Sequence, residues 1–192
     1  MNISQEIQER LLCPVTKSKL RLHTGYLESI VNPSIRYPII DGIPVLINED
    51  KSLFSISDFQ QQHNTTFDLR ESKVRKVIKK LMPKITHNLK AKQNYKELNE
   101  TLPTHAKILV IGGSIIGQQM EVMYTNASFE IIGSDVTFGP QTNLISDAHD
   151  IPFADETFDC VIAQAVLEHV LDPQRCVDEM HRVLKPDGIV YA

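Results

Sequence analysis

The fold of this chain is decided by the stretch Ile108-Leu109-Val110-Ile111-Gly112-Gly113-Ser114-Ile115-Ile116-Gly117. Its first four residues form a continuous apolar run, which is typical of a strand buried on both faces of a parallel sheet. The glycines that follow allow a tight turn and a close approach of the backbone to a ligand. Because Ser114 replaces the second glycine of the dinucleotide pattern G-x-G-x-x-G, the loop alone is a weak indication of a binding site.

Strand and helix patterns alternate from this stretch to the end of the chain. They predict a helix at about 117–125, strands at 130–133, 144–145 and 158–163, a helix at about 173–184 and a last strand at 189–191. Pro173 suits the first turn of its helix, and Pro186-Asp187-Gly188 suits the end of that helix. The alternation predicts an α/β fold with an open, Rossmann-like parallel sheet covered by helices.

Polar residues follow the predicted strands, where ligands bind in such sheets. Asp135 ends the second strand, 23 residues after Gly112, and its carboxylate can accept hydrogen bonds from both hydroxyls of a ribose. Asp147 follows the third strand, where an acidic side chain can accept from an adenine amino group, and the fourth strand ends near Gln164. His169 is the best placed general base, because imidazole titrates near neutral pH. Capping or packing at the start of a helix is an equally good interpretation of His169.

The order of these motifs resembles the class I S-adenosylmethionine-dependent methyltransferases of quinone and sterol biosynthesis. The resemblance includes Ile111-Gly112-Gly113, Asp135, Asp147-Ala148, Ile151-Pro152-Phe153, Leu167-Glu168-His169-Val170 and Leu184-Lys185-Pro186-Asp187-Gly188, in the order of the family. Several independent motifs therefore support it. It implies S-adenosylmethionine as the cofactor.

The resemblance also implies a role for individual residues. Three glycines would line the methionine moiety of the cofactor, namely Gly112, Gly113 and Gly117. Asp135 would bind the ribose, whereas Asp147 and Ala148 would meet the adenine. Gln164 would border the transferring methyl group.

This sequence departs from the family at two places near the expected cofactor. Family members usually carry an acidic residue on the strand just before the first glycine, but Val110 stands there, and the loop is one residue longer. The connection from Asp135 to Leu144 is too short for the usual intervening helix. We therefore expect cofactor binding with altered geometry or lower affinity.

Residues 1–50 predict a small β-rich module. Asp41-Gly42 is a turn signal between two apolar runs, and Pro38 and Pro44 favour an edge or strand ends for this hairpin. The segments Leu11-Leu12-Cys13-Pro14-Val15-Thr16 and Tyr37-Pro38-Ile39-Ile40-Asp41-Gly42-Ile43-Pro44-Val45-Leu46 resemble the zinc-ribbon-derived domain of the tRNA-methyltransferase activator protein.

The zinc ligands of that activator module are incomplete here. Relatives that bind zinc use two Cys-x-x-Cys pairs, because tetrahedral zinc needs four ligands. Cys13 is present, but Thr16 stands where its partner belongs, and residues 17–50 contain no cysteine. The sequence therefore predicts no metal site, with hydrophobic packing holding the module.

Residues 51–105 predict a basic helical linker between this module and the methyltransferase domain at 106–192. Apolar residues recur at helical spacing from Val74 to Met82, opposite several lysines and arginines, and Pro83 ends or kinks that helix. A second helix is predicted between Lys84 and Asn99. We favour packing of the apolar stripe on a neighbouring domain over binding to a membrane surface or an acidic partner.

Composition excludes several classes of protein. No apolar run approaches the roughly 20 residues of a membrane span. The three cysteines, Cys13, Cys160 and Cys176, are far apart, which predicts a reducing compartment, the cytoplasm, and no disulfide framework. Residues 106–192 contain 4 basic and 13 acidic residues, a net charge of −9 that disfavours nucleic-acid binding.

Three interpretations of function are open. The favoured one is a methyltransferase acting on a small or lipid-linked acceptor, and the second is a non-catalytic, methyltransferase-like binding or scaffold protein. An NAD-dependent oxidoreductase fits the acidic residue Asp135 but leaves Asp147-Ala148 unexplained. Since the predicted sheet stops at its fifth strand, that strand would expose an edge and an apolar face. We therefore expect a truncated chain, with a covering dimer as the alternative.

Overall fold

A computed structural model describes residues 1–61 and 89–192 of the chain. Its helices are α1 Gln5–Gln8, α2 Ile56–Gln60, α3 Leu89–Thr101, α4 Glu121–Thr125 and α5 Pro173–Val183. Its strands are β1 Leu20–His23, β2 Tyr26–Ser29, β3 Arg36–Ile40, β4 Ile43–Pro44, β5 Lys107–Ile111, β6 Glu130–Asp135, β7 Thr142–Ile145, β8 Phe158–Ile162 and β9 Leu184–Tyr191. A short 3₁₀ helix covers Leu167–His169. The helix predicted from Val74 to Met82 lies outside the described residues.

The second half of the chain forms a parallel five-stranded sheet. The strand order is β7-β6-β5-β8-β9, with every neighbouring pair parallel. The chain moves outward from β5 in one direction through β6 and β7, and then in the other direction through β8 and β9. This reversal beside β5 is the point where open α/β sheets bind ligands. The predicted Rossmann-like fold class is confirmed.

Several predicted element boundaries differ from those of the structure. The predicted helix at 117–125 is reduced to α4, because Gln119 has a φ of 69° and interrupts a right-handed helix. The helix starting at Pro173 ends at Val183, one residue early. The last strand starts at Leu184 instead of 189, so that the residues predicted to end the helix, 186–188, lie in a strand of irregular register.

The connection between β6 and β7 is short, as the sequence predicts. Residues 136–141 contain no helix, although parallel strands usually need a crossover of a dozen residues or more. The register explains why this is feasible, since Thr142 pairs with Gly133 and Ile145 pairs with Asp135. The chain therefore returns along only about two residues of β6, roughly 7 Å, before β7 begins.

The N-terminal residues form an antiparallel sheet in the order β1-β2-β3-β4. The predicted hairpin is confirmed, because Asp41 and Gly42 have φ values of 50° and 82° and form a two-residue turn between β3 and β4. The expectation that the prolines lie at an edge or at strand ends was wrong for Pro38. It lies within β3, between two strands, where its carbonyl accepts a hydrogen bond from Val45 N at 3.0 Å.

This N-terminal region shares one hydrophobic core with the parallel sheet. Leu46 N donates to Ile145 O at 2.8 Å, and Val45 pairs with Ile145 in parallel, so the chain here extends the sheet beyond β7. The buried residues of the shared core include Ile7, Leu11, Tyr37 and Leu46 from the N-terminal region and Leu109, Ile132, Leu144, Phe153, Phe158, Met180 and Val183 from the second half. The module therefore covers the same sheet face as α5.

The opposite face of the sheet is covered by α3 and α4. Tyr95 of α3 is fully buried, and its ring centroid lies 4.9 Å from that of Tyr191 on β9. Ile189 packs against the same cluster. The expectation of an uncovered apolar face on the fifth strand was therefore wrong for this side, because α3 reaches it. Val190, whose side chain alternates to the other side of this edge strand, is 43% exposed.

Among the helices that the structure describes, none has both the length and the apolar character needed to cross a membrane.

Because the two sheets share a core, we predict that they unfold together. Leu11→Ala removes a side chain that is 1% exposed, and should lower the free energy of unfolding by about 2–5 kcal/mol. Leu22→Ala, on a leucine that is 54% exposed in the same module, should change it by less than about 0.5 kcal/mol. Urea denaturation, followed by circular dichroism and by tyrosine fluorescence, measures both. Two separate transitions, or equal effects of the two substitutions, would contradict the shared core.

Candidate functional site

A cavity of about 1470 Å³ lies at the carboxyl ends of the parallel strands. One wall consists of residues that follow β5, β6, β7 and β8. The opposite wall is formed by residues 50–54 and Phe59, together with the β3–β4 turn. The N-terminal region and the parallel sheet thus build this cavity together.

Two of the three glycines that were predicted to line the cofactor site, in the loop after β5, lie in the floor of the cavity. Gly112 and Gly117 line the cavity. Gly112 has a φ of 69°, and a Cβ there would lie 2.5 Å from Val166 Cγ2. Gly113 lies behind the lining, where a Cβ would approach Val110 O at 2.7 Å and Gly133 Cα at 2.9 Å. The structure thus gives Gly113 a packing role between β5 and β6.

Asp135 ends β6 and lines the cavity, as its position in the sequence predicts. Its Oδ2 accepts from Ser114 N at 3.0 Å, and its Oδ1 accepts from the amide and the hydroxyl of Thr137, each at 3.0 Å. The carboxylate therefore ties the glycine loop to the end of β6. Since an ionised carboxylate has about four acceptor sites, it retains capacity for a ligand.

Asp147 is 8% exposed and holds the turn that follows β7. Its Oδ1 accepts from His149 N at 2.9 Å and lies 2.6 Å from His149 Nδ1, while its Oδ2 accepts from Ser52 Oγ at 2.5 Å. Burial raises the pKa of this carboxyl, but the hydrogen bonds from Ser52 and His149 outweigh burial and hold the pKa below its usual range. Asp147 is therefore ionised at neutral pH and can only accept hydrogen bonds. Its neighbour Ala148 is half-buried in the cavity wall.

Gln164 and His169 lie on the β8 side of the cavity. The amide nitrogen of Gln164 lies 3.4 Å from Gln118 O, and its Oε1 is buried without a hydrogen-bond partner among the described residues. A Cβ on Gly117 would lie 2.2 Å from that oxygen, so the glycine makes room for Gln164. His169 is exposed at the end of the 3₁₀ helix.

Two residues that are not among the predicted site residues, His149 and Ser52, contact Asp147 in the structure. His149 lies between Asp147 and α5, where its Nε2 accepts from Asp172 N at 3.1 Å. Because Nε2 accepts, the ring proton sits on Nδ1 and is donated to Asp147. Ser52 completes the contacts of Asp147, although the two residues are 95 positions apart. No sequence pattern connects a single serine with a carboxylate at that distance.

The charged side chains that line the cavity are predominantly acidic. They are Asp41, Asp50, Asp135, Asp147 and Asp172 against Lys51 and Arg175. A cavity with this charge favours ligands that carry positive charge. No group of three or more His, Cys, Asp or Glu side chains suited to a metal ion occurs in residues 1–61 and 89–192.

Comparison with known proteins identifies the class of the second half of the chain. Residues 109–192 match the family model for the methyltransferase domain, which confirms the predicted class of domain and agrees with the expected cofactor, S-adenosylmethionine. The ubiquinone/menaquinone biosynthesis C-methyltransferase UbiE of Haemophilus ducreyi is 35% identical over 81 residues, covering 38% of this chain and 31% of that protein. The mitochondrial arginine-hydroxylase NDUFAF5 of Mus musculus is 40% identical over 50 residues, covering 26% of this chain and 15% of that protein.

This chain therefore spans less than a third of the length of either relative. Among solved structures, the YcgJ protein of Bacillus subtilis matches with a TM-score of 0.41 and 22% identity, over 51% of this chain and 48% of that one. The resemblance of residues 1–50 to the activator module stays a prediction.

The glycine loop generates a prediction about stability. Gly113→Ala places its Cβ against backbone atoms of two strands, and should lower the free energy of unfolding by about 1–3 kcal/mol. Gly117→Ala meets only the flexible ends of two side chains, Gln164 and Met120, and should stay within about 0.5 kcal/mol of the wild type. Chemical denaturation of both variants measures these changes in the free energy of unfolding. A larger loss for Gly117→Ala than for Gly113→Ala would show that the loop is packed differently.

Proposed function

We propose that this chain binds S-adenosylmethionine in the cavity and is a methyltransferase for a small or lipid-linked acceptor. The observation that carries the proposal is the coincidence of two independent results. Residues 109–192 match the methyltransferase domain, and the cavity lies at the point of that domain where the strand order reverses.

The side chains around the cavity suit the parts of this cofactor. Gly112 and Gly117 line the cavity without a side chain, so the backbone would be able to approach the methionine moiety closely. Asp135 would accept from the ribose hydroxyls. Asp147, ionised and acceptor-only, would accept from the adenine amino group, and Ala148 would pack against the ring.

Gln164 and the acidic lining suit the charged end of the cofactor. When bound, S-adenosylmethionine supplies an electrophilic methyl group on a positively charged sulfur, and the protein contributes proximity and orientation. Gln164 lines this part of the cavity and would border the positive centre. The predominance of aspartates in the lining favours the same charge.

His169 would act on the acceptor. An oxygen or nitrogen nucleophile reacts faster when a base removes its proton, and His169 lines the exposed part of the cavity, where an acceptor would enter. Its imidazole would hold that proton after transfer.

A non-catalytic protein is the alternative, and one observation favours it. Val110, on β5 two residues before Gly112, is 3% exposed and lines the cavity without a charge for the cofactor's amino group. We also propose a cytoplasmic location and segment boundaries at residues 50 and 105. We propose in addition that the edge strand β9 is covered by further chain or by a second copy. An NAD-dependent reaction is disfavoured by the methyltransferase match.

Calorimetric titration with S-adenosylhomocysteine tests cofactor binding. Asp135→Ala should raise the dissociation constant at least about 10-fold, because a hydrogen bond to a charged group is worth about 1.5–3 kcal/mol. Asp135→Asn, which keeps the shape but loses the charge, should give a smaller increase in the same direction. Asp178→Ala, on the exposed side of α5 outside the cavity, serves as the matched control and should bind like the wild type. No binding by the folded wild type would refute the methyltransferase proposal and leave the non-catalytic alternative.

Methyl transfer to a panel of phenol and quinol acceptors tests the role of His169. His169→Asn should lower the rate about 10²–10⁴-fold and leave the affinity for S-adenosylhomocysteine within about twofold, because the base acts only on the acceptor. His181→Asn, on the exposed side of α5, should change neither quantity. An undiminished rate in His169→Asn would assign the histidine to the structure of the 3₁₀ turn.

A further inference from the structure

Ser52 reaches the cavity from the N-terminal region and occupies one side of a buried carboxylate. Its Oγ donates to Asp147 Oδ2 at 2.5 Å and accepts from Phe54 N at 3.3 Å. Because the backbone amide of Phe54 occupies an acceptor site of the hydroxyl, the hydroxyl proton is directed at Asp147. The distance lies in the range of charge-assisted O–H···O⁻ bonds.

The orientation of the Asp147 carboxylate depends on Ser52, because the other hydrogen bonds to this carboxylate all go to one of its two oxygens. Both hydrogen bonds from His149 go to Oδ1. Ser52 is the one described hydrogen-bond partner of Oδ2 in residues 1–61 and 89–192. Without the hydroxyl, the carboxylate is held at one oxygen only, and its plane is free to turn.

The N-terminal region holds the same turn at a second point. Asp150, three residues further on, is buried and pairs with Lys17 Nζ, and it accepts from Asn48 Nδ2 at 3.3 Å. The turn at 147–150 therefore stays anchored to the N-terminal region when Ser52 is replaced. The replacement therefore affects the carboxylate of Asp147 and the amide of Phe54, which loses its acceptor.

We propose that Ser52 is a positioning residue of the adenine subsite, and that it makes the N-terminal region part of the selectivity for a 6-aminopurine. The inference rests on the proposed function. Ser52 fixes Oδ2 so that a free lone pair of Asp147 faces the cavity, where it accepts from an exocyclic amino group. A 6-oxopurine presents an acceptor at that position, and two acceptors repel each other. Sites built around a buried hydrogen-bonding group reject the mismatched analogue strongly.

Replacing Ser52 should leave the helix that follows it, α2, intact. The capping box of α2 is formed by Ser55 and Asp58, so the helix start does not require Ser52. Ser57 lies on the exposed side of the same segment, where its hydroxyl contacts Ser55 Oγ at 2.8 Å. Ser57→Ala is therefore a control of the same chemistry outside the cavity.

The experiment compares two ligands that differ at one purine position, S-adenosylhomocysteine and S-inosylhomocysteine, bound to the full chain in calorimetric titrations. Ser52→Ala should weaken binding of the adenosyl ligand about 10-fold, equivalent to one hydrogen bond to a charged group. The ratio of the two dissociation constants should fall by a similar factor. Ser52→Thr keeps the hydroxyl and should restore both affinity and ratio to within about twofold, and Ser57→Ala should match the wild type.

Each contrary result has a distinct meaning. Wild-type binding of S-adenosylhomocysteine with no change in Ser52→Ala would overturn the role of Ser52 and leave the proposed function standing. Equal weakening for both ligands, or a failure of Ser52→Thr to restore the ratio, would reduce Ser52 to a structural contact. No binding by the folded wild type would overturn the proposed function and, with it, this inference.

Discussion

The hydrogen bond from Leu46 N to Ile145 O is the contact by which the N-terminal region is aligned with the parallel sheet. At 2.8 Å it joins the end of the N-terminal sheet to β7, which would otherwise be an open edge of the parallel sheet. An open edge presents unpaired amides and carbonyls to other chains. Because Val45 continues the same pairing in parallel, the N-terminal region is aligned with the sheet and leads residues 50–54 to the carboxyl ends of the strands.

The parallel sheet depends on this contact because its own connections leave one face short of cover. Residues 136–141 and 146–157 contain no helix, so α5 is the one α-helix that the described second half places on that face, beside the short 3₁₀ helix. Leu144 and Phe153 on this face are nevertheless fully buried, against residues such as Leu11 and Tyr37. An antiparallel sheet thus occupies the layer that helices fill in most parallel sheets. The cavity gains a second wall as a consequence of this packing.

The sequence predicts most of what depends on local pattern. β5 contains a continuous apolar run, β6 and β8 contain shorter ones, and the parallel sheet follows from their alternation with helices. The candidate residues Gly112, Gly117, Asp135, Asp147, Ala148, Gln164 and His169 come together at one cavity because each follows a strand on the same side of the sheet. The start of β9 was missed because a proline and a glycine in a strand resemble a helix end. Ser52 was missed because its partner is distant in the chain, and only the tertiary structure brings the two together.

The N-terminal module is as dependent on the sheet as the sheet is on the module. A chain of about 50 residues buries little apolar surface and is only marginally stable on its own. Small modules of this kind often obtain additional stability from a bound metal. Here the turn at 13–17 is held by hydrogen bonds, from Thr16 N to Cys13 Sγ at 3.3 Å and from Lys17 N to Cys13 O at 2.8 Å. Cys13 is fully buried in the shared core, with its sulfur 3.3 Å from the Tyr37 hydroxyl. Cys13 therefore belongs to the core that the module shares with the parallel sheet, and this shared core supplies the apolar burial that so small a module lacks on its own.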